Sequence, residues 1–213
     1  MVARDNGPAV TQLFDVAPPG VDHGLNGEGH AGLQLFQGQA LALRAAKRLQ
    51  TQVHIVKLNA NRHLSDYASW GYDVHPDSLS GYAGPLAGML TGLQHCATEW
   101  LLCVPCDSPF FPLDLAYRLG MAVDAEQSSM AVAWAPEVNA QGDTVCRPQP
   151  VFCLLKLDLL ESLVKFTQSG GRKIDAWTAQ HRCAIVPFDL PGDSPHAFTN
   201  ANTLAELQQL ESL

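Results

Sequence analysis

The apolar positions of this chain switch repeatedly between helical and strand spacing. From Gly38 onward, Leu41, Leu43, Ala45, Ala46 and Leu49 fall on one face, while Arg44, Lys47 and Arg48 supply a solvated side; this predicts an amphipathic helix. Residues 53–58, Val-His-Ile-Val-Lys-Leu, predict a strand that ends in Asn59-Ala60-Asn61-Arg62, and a weaker strand follows at Tyr72-Asp73-Val74. After the turn Gly81-Tyr82-Ala83-Gly84, Pro85 opens a helix to about residue 95, because proline is tolerated at the first helical position. The run Trp100-Leu101-Leu102-Cys103-Val104, closed by Pro105-Cys106-Asp107-Ser108-Pro109, predicts a strand covered on both faces.

The alternation continues to the end of the chain. A helix is predicted over 112–124, a strand over 130–134, a hairpin at Gly142-Asp143 and a strand over 150–155. Helices over 158–167 and 174–180 flank Gly170-Gly171-Arg172-Lys173, and 183–188 reads as a late strand. The last helix carries Leu204, Leu207 and Leu210 on one face, with Asn202 or Thr203 as its N-cap. Residues 1–31 hold many breakers and predict no element. The order predicts an α/β fold of one domain over residues 1–213, a three-layer α/β/α sandwich around a doubly wound, mostly parallel sheet.

Charge narrows the partners. Thirteen Lys and Arg against 21 Asp and Glu give a formal net charge of −8, which argues against a general polyanion binder and so against nucleic acid. The first residues form no apolar signal region and no later stretch reads as a membrane span, so a cytoplasmic protein without a membrane partner is expected. The six cysteines lie mostly in apolar runs and are expected to be reduced. Cys103 and Cys106 form a Cys-x-x-Cys, but no second pair follows at zinc-finger spacing, and core packing is the simpler role. The eight histidines show no HExxH or paired spacing.

Polar groups punctuate the predicted strand ends: Asn59, Asp77, Asp107 and, before the last helix, Asn200 and Asn202. A parallel sheet puts such ends on one edge, where ligands bind. Asp107 alone has two readings, a turn or N-cap aspartate in Asp-Ser-Pro, or a carboxylate for Mg²⁺, which takes one or two carboxylates together with substrate phosphates. Its companions favour the metal. The turn Gly84-Pro85-Leu86-Ala87-Gly88 brings backbone amides to a helix N-terminus, either to face an anionic or flat ligand or simply to cap the helix.

In their order these pieces resemble the molybdenum cofactor guanylyltransferases, nucleotidyltransferases with a Rossmann-like fold. The resemblance runs from about Gly32 to the C-terminus. It is carried by Gly32-Leu33 with Gly38, Asn59-Ala60-Asn61-Arg62-His63, Asp77-Ser78, Gly84-Pro85-Leu86-Ala87-Gly88-Met89, Cys106-Asp107-Ser108-Pro109 and Phe198-Thr199-Asn200-Ala201-Asn202-Thr203. It implies transfer of GMP from GTP to molybdopterin with release of pyrophosphate and dependence on Mg²⁺. By that analogy Asp107 is the catalytic magnesium ligand and also touches GTP, as do Asn59 and Asp77. Leu86, Ala87 and Gly88 resemble a guanine-facing turn. Arg172, Asn200 and Asn202 match a pterin side. Molybdoenzyme apoproteins and cofactor-insertion proteins are the further partners the resemblance implies.

The chain departs from the family at its start. The family's Leu-Ala-Gly-Gly loop and its Asp-Lys pair fall, without gaps, on Pro18-Pro19-Gly20-Val21 and His30-Ala31. A gapped alternative matches Gly20-Val21-Asp22-His23-Gly24-Leu25 and puts His23 where the family has lysine. A histidine is mostly neutral at pH 7, at an ordinary pKa of about 6.5. Three readings follow: a slow enzyme, a nucleotide- or pterin-binding protein of the same fold without turnover, or a first segment that does not follow the gene's native frame, since the disturbance ends sharply at Gly32. A sugar-nucleotide pyrophosphorylase would share the fold but is usually longer.

Overall fold

A computed structural model describes residues 10–14, 31–79, 84–138, 142–201 and 203–212; of 10–14 and 138 it describes the backbone only. The expectations that fall on His23, His30, 15–29, 80–83 and Asn202 lie outside the described residues. In chain order the elements are β1 (Val10–Phe14), β2 (Leu35–Phe36), β3 (Gln39–Ala40), α1 (Leu41–Gln50), β4 (Ile55–Asn59), α2 (Leu64–Ala68), β5 (Asp73–His75), α3 (Pro85–Gln94) and β6 (Trp100–Pro105). There follow α4 (Leu115–Glu126), β7 (Met130–Val138), β8 (Thr144–Lys156), α5 (Leu160–Gln168), α6 (Ile174–Thr178), β9 (Cys183–Pro187) and α7 (Leu204–Glu211).

Among the described residues seven strands form one sheet in the order β5-β4-β1-β6-β8-β7-β9. Pairings are parallel except those of β8 with β6 and β7, so β8 alone runs against the other six. This is the mostly parallel sheet the alternation predicted. The buried apolar runs follow from it, since strands covered on both faces need apolar residues on both. In β6, Leu102 and Val104 pack with α1 and α4, whereas Leu101 and Cys103 pack with α3, α5 and α6. In β7, Ala131 and Ala133 repeat the first choice and Met130 and Val132 the second. Helices therefore cover both faces, giving three layers.

Two elements correct the sequence reading. Residues 1–31 predicted nothing, yet Val10–Phe14 is a central strand between β4 and β6. Its five residues, Val-Thr-Gln-Leu-Phe, are too few beside the Pro- and Gly-rich stretch that follows to show a period. The helix α2 was also unpredicted, because it is a five-residue turn anchored by one buried side chain, Tyr67. At the C-terminus Thr203, not Asn202, is the N-cap: its hydroxyl accepts from the Glu206 N–H and Glu206 reaches back to the Thr203 N–H. That helix closes a small cluster of Phe36, Leu41, Ala201, Leu207 and Leu210, which ties it to the β2–β3 hairpin and to the chain beside Asp107. All six cysteines are free.

Candidate active site

Four parallel strands end level with one another. Phe14 pairs with Asn59 on one side and with Pro105 on the other, and Asn59 pairs in turn with His75. The residues that follow these ends therefore meet at one edge of the sheet, the edge at which open α/β sheets hold ligands. Asn59, Asp77 and Asp107 are all brought there.

Asn59 is buried, and its Nδ2 donates to the His75 carbonyl oxygen at 2.9 Å and to Asp77 Oδ1 at 3.1 Å. Asn61 holds Asp77 from the other side: its Nδ2 donates to Asp77 Oδ2 at 2.8 Å, and its Oδ1 accepts from the Asp77 backbone N–H at 2.8 Å. Both oxygens of Asp77 are thus held by carboxamide donors. Sequence reasoning quoted Asn61 only as part of a motif; its partnership with a residue 16 positions away becomes visible once β4 and β5 are paired.

Behind this pair, His75 stacks on His95 with ring centroids 3.9 Å apart and planes 18° from parallel. His75 Nε2 is buried without a hydrogen-bond partner. Burial, and then the charges of His95 and Lys57, hold its pKa below the usual histidine value, with Asp73 opposing.

The turn into α3 starts at Gly84, whose φ of +137° suits a residue without a side chain. Pro85 then occupies the first helical turn. Leu86, Ala87 and Gly88 are buried, with the side chains of Leu86 and Ala87 in the core, so what they offer a ligand is main chain. Thr91 links this helix to the segment after Asp77, since its hydroxyl accepts from the Ser78 N–H and donates to the Ala87 carbonyl, both at 3.0 Å.

Asp107 is 8 % exposed at the end of the β6 extension. The fully buried Ser108 lies next to it, with Oγ 2.5 Å from Asn200 Oδ1 and 3.3 Å from Asp107 Oδ1. The Ala201 N–H donates to the Asp107 carbonyl oxygen at 2.8 Å. The approach to the helix α7 is therefore fastened to the Asp107 turn by main chain and side chain together. Upstream, Gly32 packs under the same turn: a Cβ there would stand 2.6 Å from the Tyr67 hydroxyl and 3.4 Å from Cys106 Sγ. Glycine is the residue this close approach allows.

Among the described residues no three His, Cys, Asp or Glu side chains group as a metal cage. One buried-edge carboxylate suits an ion that keeps most of its water and shares substrate phosphates, as Mg²⁺ does, better than one that needs a full protein shell. Of the three residues expected on a pterin side, Asn200 stands at Asp107. Arg172 sits past the end of α5, where Nη1 donates to the Gly171 carbonyl at 3.0 Å.

A family model described as the MobA-like NTP transferase domain matches residues 27–199. The chain is 62% identical over 183 residues to the molybdenum cofactor guanylyltransferase of Acidovorax sp. (strain JS42), spanning 85% of this chain and 87% of that protein. It is 43% identical over 212 residues to the molybdenum cofactor guanylyltransferase of Cupriavidus taiwanensis, spanning 100% of both. Among solved structures it is similar to the molybdopterin-guanine dinucleotide biosynthesis protein A from Archaeoglobus fulgidus, with a TM-score of 0.72 at 14% identity over 95% of this chain and 97% of that one. It is likewise similar to the 2-C-methyl-D-erythritol 4-phosphate cytidylyltransferase from Thermus thermophilus, with a TM-score of 0.67 at 15% identity over 97% and 98%. The structural likenesses establish a shared nucleotidyltransferase fold, and the sequence identities go further: this chain belongs to the molybdenum cofactor guanylyltransferase family.

Proposed function

We propose that this protein transfers GMP from GTP to the terminal phosphate of molybdopterin, releasing pyrophosphate, with Mg²⁺ held at Asp107 and the cytoplasm as its place of work. The observation that carries this reading is the meeting of Asp107 with the Asn59–Asp77 pair and the α3 turn on one sheet edge. Transfer at an α-phosphorus is an in-line displacement whose catalysis comes from positioning and charge neutralisation. Asp107 holds the metal, which when bound neutralises phosphate charge. Asn59 and Asp77 contact the nucleotide, and the main chain of Leu86, Ala87 and Gly88 lies toward guanine. Arg172, Asn200 and Asn202 serve the acceptor side. Molybdoenzyme apoproteins and cofactor-insertion proteins would receive the product.

The test is an assay of pyrophosphate release and guanylated pterin formation with GTP, Mg²⁺ and molybdopterin, alongside resequencing of the gene's 5′ region. Mg²⁺-dependent formation of both products is expected, and failure of GTP to bind in the presence of Mg²⁺ would overturn the reading. The absence of the family's Asp-Lys pair from its ungapped position at His30-Ala31 favours a second reading, a pterin binder without turnover. Pterin binding without pyrophosphate release selects it.

A further inference from the structure

The strand β8 leaves the sheet locally where it passes Asp107. Val132 of β7 pairs with Cys153, but the next residue, Ala133, pairs with Gln149, so Pro150, Val151 and Phe152 bulge out of the β7–β8 ladder. The β6–β8 pairing ends at the same level, at Cys103 with Cys153, while β6 runs on to Pro105. Between the diverging strands lies a cavity of about 170 Å³, lined by Pro105, Asp107, Gln149, Val151, Phe152 and Asn200 together with Pro150.

Its chemistry is specific. Among the described residues the walls are proline, valine and phenylalanine, the one charge is Asp107, and the remaining polar groups are two carboxamides. Asn200 has its Oδ1 committed to Ser108. The Gln149 carboxamide has no hydrogen-bond partner among the described residues and stands half-buried at the cavity wall. A carboxamide both donates and accepts, and so pairs with a planar ring edge that presents an amide carbonyl beside an N–H. Two carboxamides in the wall suit the uncharged ring of a ligand.

Guanine and a pterin both carry such an edge, and the sheet order chooses between them. Asn59 and Asp77 lie on the β4–β5 side of Asp107, whereas this cavity lies on the β8 side. We infer that the β8 bulge forms the acceptor subsite and that Gln149 is a specificity-determining residue, reading the amide edge of the acceptor's heterocycle. The inference rests on the guanylyl-transfer reading for the identity of the acceptor.

The experiment measures equilibrium binding of molybdopterin and, separately, of GTP with Mg²⁺, to the full chain and to Gln149→Leu and Gln149→Asn. A carboxamide that reads a ring edge is worth about tenfold in affinity or more. Gln149→Leu should therefore weaken molybdopterin about tenfold while leaving GTP affinity and the thermal midpoint unchanged, with Gln149→Asn recovering part of the loss. Equal molybdopterin binding by wild type and Gln149→Leu, no molybdopterin binding by wild type, or a loss confined to GTP would each overturn the inference. Wild-type molybdopterin binding without pyrophosphate release would instead remove the transfer reading, with the effect of Gln149→Leu still deciding the subsite.

Discussion

Ser108 Oγ lies 2.5 Å from Asn200 Oδ1, although 92 residues separate them in the chain. The same hydroxyl is 3.3 Å from Asp107 Oδ1, so one buried group joins the strand-end carboxylate to the C-terminal segment. Removing it in Ser108→Ala leaves the two acceptors without that donor and should cost ~1–2 kcal/mol in urea unfolding. If the hydroxyl also sets the carboxylate's direction, the Mg²⁺ concentration for half-maximal pyrophosphate release rises by about fivefold. A magnesium titration that overlays the wild type would leave Ser108 a packing role alone.

Asp107→Asn keeps the volume and the main-chain bond from Ala201 but removes the charge. Losing one preorganised electrostatic group in a site of this kind costs on the order of 10²–10³ in rate. Pyrophosphate release should fall by at least that factor, with the unfolding midpoint close to wild type. Turnover that survives the substitution would separate Asp107 from the metal.

The clasp of Asn61 on Asp77 gives a different signature. Asn61→Ala frees one carboxylate oxygen and the Asp77 N–H, so Asp77 loses the orientation on which the proposed nucleotide contact rests. Hydrogen bonds to charged groups contribute roughly 1.5–3 kcal/mol, and about 1.4 kcal/mol is tenfold. The KM for GTP should rise about tenfold with kcat little changed, and Asn61→Asp should be worse because two carboxylates then face each other. An equal fall in kcat with an unchanged KM would contradict a nucleotide-positioning role.

These residues show why the sequence was readable in some places and opaque in others. The strand β6 announced itself because a strand buried on both faces needs an uninterrupted apolar run, and α1 because one wet face enforces helical spacing. The strand β1 did not, although it is equally central, because five residues set before a stretch of breakers give no period to read. Asn59, Asp77 and Asp107 were legible as polar residues terminating strands. Asn61, Ser108 and Gln149 were not singled out, since each acts through a partner 16 to 92 residues away or through a bulge that only pairing reveals. Leu86 and Ala87 were expected at the turn through their backbone amides, and burial of their side chains leaves main chain as what they can offer a ligand.

The His75–His95 stack makes stability depend on pH with a definite sign. Burial and the nearby charges of His95 and Lys57 lower the His75 pKa in the folded protein, against the partial opposition of Asp73. The unfolded chain titrates near the ordinary value of about 6.5. Between the folded pKa and that value the unfolded state binds the extra proton, so stability increases with pH and is lost as pH falls below about 6.5. His181, also lowered by burial with Asp158 opposing, adds a slope of the same sign. His75→Phe keeps a flat ring against His95 and removes a buried Nε2 that has no hydrogen-bond partner to lose. Urea midpoints measured at about pH 7 and about pH 5.5 should therefore differ less in His75→Phe than in the wild type, with the remainder owed to His181 and other groups. An identical difference in the two proteins would remove His75 as the source of the slope.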